Sequence, residues 1–314
     1  MNFSIRPASR SEAKPLIGLY SESGRGKSFS SLLLARGFVG PNGRIVQIET
    51  EAGRGEAYAD MIPGGYDVIS LRNDFSPVAY GEAIKAAEES KADALIIDSG
   101  SHEWSGAGGV LSQALDQQER GVKGVLAWQK PKMLHQRNFM LRLMQTPIPL
   151  VILCLRAKFP MIEKKEGGKK EWVRSETLEP DQAADILFEL FVHGWIDEQH
   201  RLHVTKYTRP DLKEVIRDNE PITIETGERL AAWARGDTPK QTIKEVILIN
   251  KGSGYTAPPA TDSFVALEAM AREVAMRGKE DFTNFYKGRS PAEKAMLRDM
   301  KSDLEKLFPT QAEA

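Results

Sequence analysis

The feature that most constrains this chain is the turn Ser21-Glu22-Ser23-Gly24-Arg25-Gly26-Lys27-Ser28, set between an apolar run at residues 15–20 and a helical pattern at residues 27–36. A buried strand that passes into a helix through glycines leaves the first helical N–H groups free. Together with the helix dipole, these make a cradle for phosphate oxygens. Gly24 and Gly26 allow close backbone approach. Lys27 stands where an ammonium reaches the outer phosphates, and Ser28 where a hydroxyl meets Mg²⁺. The first glycine of this pattern is replaced by Ser21, which closes the turn only with a backbone that avoids strongly positive φ. The span from Ser21 to Phe29 is therefore the expected contact region for a nucleoside triphosphate, with ATP and Mg²⁺ as the cofactors.

The rest of the first two-thirds repeats the alternation of short apolar runs with helical patterns that marks a parallel α/β sheet. Strands are expected at residues 15–20, 44–49, 66–71, 94–98, 150–155, 187–197 and 201–206. Helices are expected at 27–36 (closed by Gly37), 77–90, 110–120 and 131–145. The Met and Leu stripe of the last helix reads as core. Past residue 235 the texture changes, which divides the chain into a core at 1–235, a linker with one short strand (246–249) at 236–262, and a helical region at 263–314. Helices there are expected at 263–277 and 290–307, the second opened by Ser290, Pro291 and Glu293 as a capping box. A net charge of −1 leaves no global field toward nucleic acid or anionic lipid. The single cysteine, Cys154, excludes an intramolecular disulfide and suits a reducing compartment. Residues 1–14 lack an apolar signal core and no run is long enough to span a bilayer, so a cytoplasmic protein without membrane contact is expected.

An apolar strand ending on Asp98 is the pattern of a carboxylate that holds Mg²⁺ at the tip of a strand beside the one feeding the turn. Ser99 and Ser101 follow it as candidates to orient the metal's waters. Hydrolysis needs a further carboxylate to orient or deprotonate water. Glu51, just past the second strand, and Glu103, after Asp98, both qualify, and spacing does not choose between them.

With these elements in order, residues 15–230 resemble the RecA-like P-loop ATPases, and more narrowly the phage-encoded ATPases associated with single-strand annealing. The resemblance rests on the glycine turn, Ile48-Glu49-Thr50-Glu51, Ile96-Ile97-Asp98-Ser99, Leu153-Cys154-Leu155-Arg156 and Val204-Thr205-Lys206-Tyr207-Thr208-Arg209. It implies a RecA-like core with a mostly parallel central sheet flanked by helices. It also implies Glu51 as the catalytic carboxylate, with Glu103 second. Tyr58 would stack on adenine. Arg156 would occupy the γ-phosphate sensor position, where RecA itself has glutamine. Lys206 and Arg209 would be cations that reach a neighbouring subunit's nucleotide, so that activity requires a homo-oligomer.

Residues 156–176 follow at the place of that family's DNA-binding loop. They carry Arg156, Lys158, Lys164, Lys165, Lys169, Lys170 and Arg174 against four glutamates, with Phe159 and Trp172 between them. Cations with interleaved aromatics can grip a single strand by charge and by stacking; a solvated β-hairpin accounts for the same pattern. Trp104 with the glycines at 105–109 is a second, weaker candidate loop. His193, His200 and His203 have no metal-ligand spacing and read as solvated strand residues. The expected function is ATP hydrolysis on single-stranded DNA in phage recombination or annealing, inside the bacterial host and beside an annealing or single-strand-binding protein. The alternative is a nucleotide-gated assembly module with little turnover. A small-molecule kinase fits poorly, because the lysine-rich loop does not resemble an arginine-rich lid.

Overall fold

The structure is a computed structural model that describes residues 7, 9, 13–166, 169–175, 177–237, 271, 274–275, 279–287, 289 and 297; side chains at 164–166, 169–171, 279 and 280 are not included. The chain divides into two compact units, Met1–Ile249 and Asn250–Ala314.

The first unit is an α/β layer built on a large, mostly parallel sheet flanked by helices. Its elements in order are β1 (Leu16–Ser21), α1 (Lys27–Val39), β2 (Ile45–Glu49), β3 (Asp67–Ser70), α2 (Pro77–Glu89), β4 (Ala94–Asp98), α3 (Ser101–Ser105), α4 (Val110–Glu119) and α5 (Leu126–Leu134). After a π-helical segment, His135–Met140, come α6 (Leu141–Gln145), β5 (Leu150–Lys158), β6 (Met161–Glu166), β7 (Lys169–Arg174), β8 (Glu179–Pro180) and α7 (Ile186–Glu189). The unit continues with β9 (Val192–Ile196), β10 (Arg201–Tyr207), α8 (Leu212–Val215), β11 (Glu220–Pro221) and α9 (Ile224–Arg235). The sheet order is β11-β10-β9-β1-β5-β4-β2-β3, with β8 paired to β5, while β6 and β7 form a separate hairpin. Strands β9, β1, β5, β4, β2 and β3 run parallel; β10 and β11 turn back antiparallel.

Strict alternation explains why the central strands are continuous apolar runs. Ile17, Leu19, Ile96, Ile152 and Cys154 face a core with Leu32 and Leu34 of α1 and Leu230 and Trp233 of α9. Leu16, Tyr20, Ile97, Val151, Leu153 and Leu155 face the opposite core, with Tyr80 and Ile84 of α2 and Phe139 of the π segment. A parallel strand covered on both faces has no polar side to show in its sequence.

Several boundaries differ from expectation for local reasons. Helix α1 does not close at Gly37 but runs to Val39, ending on Gly40 at φ 73°. Gly37 is an inter-helix contact instead: a Cβ there would lie 1.8 Å from the Ile224 carbonyl oxygen, and one on Gly227 2.2 Å from that of Leu34. The two glycines let α1 and α9 touch backbone to backbone, and any side chain at either position would push the helices apart. The expected strand at 187–197 begins as α7 and becomes β9 only at Val192. The helix expected at 131–145 starts earlier, at Leu126, with Pro131 buried inside α5. Its stripe is only partly core: Phe139, Met140 and Leu143 are buried, whereas Met133, Leu141 and Met144 are exposed.

In the second unit, α10 (Lys279–Lys287) is helical, and Ala271, Ala275, Phe282 and Leu297 form a small buried cluster. The expected strand at 246–249 lies outside the described residues, as do the helices at 263–277 and 290–307 apart from single helical positions. Among the described residues no helix is long and apolar enough to cross a membrane.

Candidate functional site

The glycine turn lies at the C-terminal tip of β1, where the parallel strands end together. Gly24 and Gly26 take φ of 81° and 90°, and Gly26 is the residue from which α1 starts. Ser21 causes no strain, because it is the last residue of β1, fully buried in extended backbone. Its side chain takes part in the turn. The Lys27 Nζ donates to the Ser21 Oγ (3.1 Å), the Ser21 carbonyl (3.1 Å) and the Glu22 carbonyl (3.0 Å), closing the turn on itself. Burial lowers the Lys27 pKa, and the nearby Asp98 carboxylate opposes that shift.

Asp98 does not sit on the strand next to β1; β5 lies between them. The carboxylate is nonetheless brought to the start of α1, where the Ser28 hydroxyl donates to its Oδ2. Asp98 is buried, and burial pushes its pKa up to about 6, with the Ser28 hydrogen bond and Lys27 pulling the other way. A folded-state pKa above the unfolded value means that the fold binds the proton more tightly, so stability falls as pH rises from about 4 to 6. A difference of that size corresponds to roughly 3 kcal/mol. Without divalent metal, Asp98→Asn is therefore expected to raise the melting temperature at pH 8 and to leave it nearly unchanged at pH 4. Thermal unfolding in chelator at the two pH values measures this, and a variant less stable at pH 8 would contradict it.

Glu51 stands on the loop leaving β2, which pairs with β4. Its Oε1 accepts from Arg156 Nε (3.0 Å) and Nη2 (2.8 Å), and Arg54 lies 3.5 Å from Oε2. Burial works against the charge of Glu51, but the Arg156 guanidinium outweighs it and holds the carboxyl below its usual value. Asp98, Glu51 and Arg156 all act on the Lys27 charge, which places the four groups in one field.

Glu103 is elsewhere. It is fully buried on α3, where His135 Nδ1 contacts both carboxylate oxygens (3.0 and 3.1 Å) and Gln182 Nε2 donates to Oε2 (3.2 Å). Tyr58 closes a 3-10 turn (Arg54–Tyr58) and packs on Phe29 of α1, ring centroids 5.5 Å apart. Lys206 and Arg209 lie toward the other end of the sheet from the glycine turn, because β10 runs antiparallel to β9. There Lys206 Nζ donates to the carbonyls of Leu187 (3.1 Å) and Phe188 (2.7 Å), and Arg209 pairs with Asp211 (2.8 Å). Residues 161–174 form the hairpin β6–β7, with Trp172 exposed and Arg174 over the Phe159 ring at 4.5 Å.

Of the three histidines expected as solvated strand residues, His200 is exposed but sits in a turn, His203 is half-buried on β10, and only His193 is buried. His193 is buried, which lowers its pKa to about 4. His203 stacks on Trp195 (4.2 Å) and contacts Asp197 (2.8 Å). His200, at φ 60° in the β9–β10 turn, places Nδ1 3.0 Å from the Arg25 carbonyl. Beside it, Glu198 pairs with Arg25 (2.8 Å), which also bonds Glu22 (3.1 Å). This turn is clamped onto the glycine turn across some 175 residues of chain, and nothing in the sequence announced the contact.

Two further groups escaped the sequence reading. The buried Glu49 carboxylate accepts from the backbone N–H groups of Glu51 and Gly53 and pairs with Arg72 (2.8 Å), so it shapes the loop that carries Glu51. Thr50 accepts from Ser99 N–H (2.8 Å) and meets His102 Nδ1 (2.7 Å), tying the ends of β2 and β4 together. A polar triplet ending an apolar strand was the available signal. No protein-family model and no curated protein matches this chain.

Proposed function

We propose that this protein binds ATP at the glycine turn and hydrolyses it while acting on single-stranded DNA, as a homo-oligomer with a RecA-like core. The observation that carries the reading is the meeting of Lys27, Ser28, Asp98 and Glu51, drawn from three separate strand ends, around one glycine turn. Backbone N–H groups at the start of α1 would hold phosphate oxygens, with Lys27 exchanging carbonyl partners for them. Ser28 and Asp98 form an oxygen donor set, hydroxyl and carboxylate, of the kind a small divalent cation takes with few protein ligands. When bound there, Mg²⁺ supplies charge neutralisation between phosphates. Glu51, kept ionised by Arg156, would accept a hydrogen bond from water and orient it. Glu103 has no such access, since its carboxylate is enclosed and already bonded. Tyr58 and Phe29 would offer a ring surface to adenine.

The DNA part of the reading rests on Trp172 and Arg174, exposed on the β6–β7 hairpin that follows Arg156. An annealing or single-strand-binding protein would be the companion, in a phage-infected bacterial cytoplasm. A second reading has its own observation: Arg156 occupies the Glu51 carboxylate, which suits a switch that binds ATP and turns over little. Phosphate release measured with and without single-stranded DNA, across protein concentration, separates the two. Stimulation by DNA and a rate per subunit that rises with concentration are expected. DNA-independent hydrolysis by a strict monomer would remove the DNA reading, and tight ATP binding without release would favour the switch.

A further inference from the structure

Away from the glycine turn, a pocket of about 330 Å³ opens between α3, the helix through His135, and the segment preceding α7. Its size falls within the range of roughly 300–1,000 Å³ typical of small-molecule sites. His135, only 1% exposed, lines it. A neutral imidazole that donates from Nδ1 to a carboxylate presents an acceptor lone pair at Nε2. The Glu103 carboxylate takes that Nδ1 bond, and Gln182 braces the same carboxylate. His135 Nε2 is buried and has no partner. The backbone supplies an independent sign: His135 opens the π-helical segment His135–Met140, and such segments are rare and concentrate at functional sites. Trp104 forms an aromatic wall, its ring 5.6 Å from the imidazole and inclined at 70°. The rim holds Lys132 and the Gln136–Asp185 pair (2.8 Å).

We infer that this pocket is a second ligand site, which takes a nucleobase. The combination asks for a planar ring that lies against Trp104 and gives an N–H to His135 Nε2. Asp185 accepts from a second donor on the ring, and Lys132 meets the phosphate of its sugar. Glu103 and Gln182 are positioning residues: they fix the imidazole and do not touch the ligand. The base arrives either on a free mononucleotide or splayed from a single strand, and both present the same chemistry to the pocket. The inference does not depend on ATP binding at the glycine turn.

The test uses the full chain carrying Lys27→Ala, without magnesium, so that occupancy of the glycine turn does not contribute. Adenosine monophosphate and a short oligothymidylate are titrated separately while long-range ¹H–¹⁵N spectra follow the His135 imidazole. A saturable shift of the Nε2 resonance is expected with at least one of them, and which one responds identifies the source of the base. In Lys132→Ala, an exposed change, the affinity is expected to fall several-fold; in Trp104→Leu the shift is expected to disappear. A resonance that stays fixed with both probes would overturn the inference, as would a shift of unchanged affinity in both variants.

Discussion

Lys27→Ala is expected to lower affinity for a nucleoside triphosphate by about 30-fold to several thousand-fold while the chain stays folded. The range comes from the cost of removing one partner of a desolvated charge pair, about 2–5 kcal/mol. The ammonium is already partly stripped of water in the free protein, so little further desolvation accompanies its move from the Ser21 and Glu22 carbonyls to phosphate. The fold is expected to tolerate the loss. Helix α1 is held by its backbone contact with α9 at Gly37 and Gly227 and by Leu32 and Leu34 in the core, and none of these involves Lys27. Calorimetric titration with magnesium–ATP, alongside circular dichroism of wild type and variant, measures both halves. Undiminished binding in a folded variant would remove the phosphate cradle from the account.

Glu51→Gln is expected to cut turnover by roughly 10²–10⁴-fold, the usual contribution of a carboxylate that orients or deprotonates water, while ATP affinity changes little. Glutamine keeps the length of the side chain and one acceptor for Arg156, so the loop shaped by Glu49 stays in place. The pKa direction adds a pH signature. Because the Glu51 carboxyl titrates below its usual value, wild-type turnover is expected to hold level through mildly acidic pH as far as this group is concerned, and to fall only where the carboxyl itself protonates. Single-turnover phosphate release and equilibrium binding on the same samples separate chemistry from affinity. Equal loss of both would recast Glu51 as structural.

What the sequence made legible was whatever depends on neighbours in the chain. The runs at β1, β4 and β5 are apolar because both faces of each strand are covered, and the glycine turn is local by nature. Contacts between distant segments were not legible. Gly37 read as a helix stop because a glycine at a helix contact and one at a helix end look alike until Gly227 is seen against it. The contacts of His200 and Glu198 with the glycine turn could not be read because Arg25 is far away in sequence. Glu51 and Glu103 were equivalent by spacing, and the structure sets them apart: one sits at the strand ends with Arg156, the other is enclosed with His135 and Gln182. The π segment was invisible because an extra residue in one turn rotates the buried face, and this run has Met, Leu or Phe on either side of the shift, so its composition does not mark the place.

The reversal of β10 gives the sheet two unlike ends, one bearing the glycine turn at the strand tips and the other bearing Lys206 and Arg209. Were the second end of one copy to serve the first end of another, the contact would be head-to-tail. Every finite open row would then leave one of each end unserved, and a two-fold pair could not satisfy the arrangement through a single shared patch. Such a chain either bends round until its last member meets its first, or keeps growing as a filament, and the rotation per step decides which.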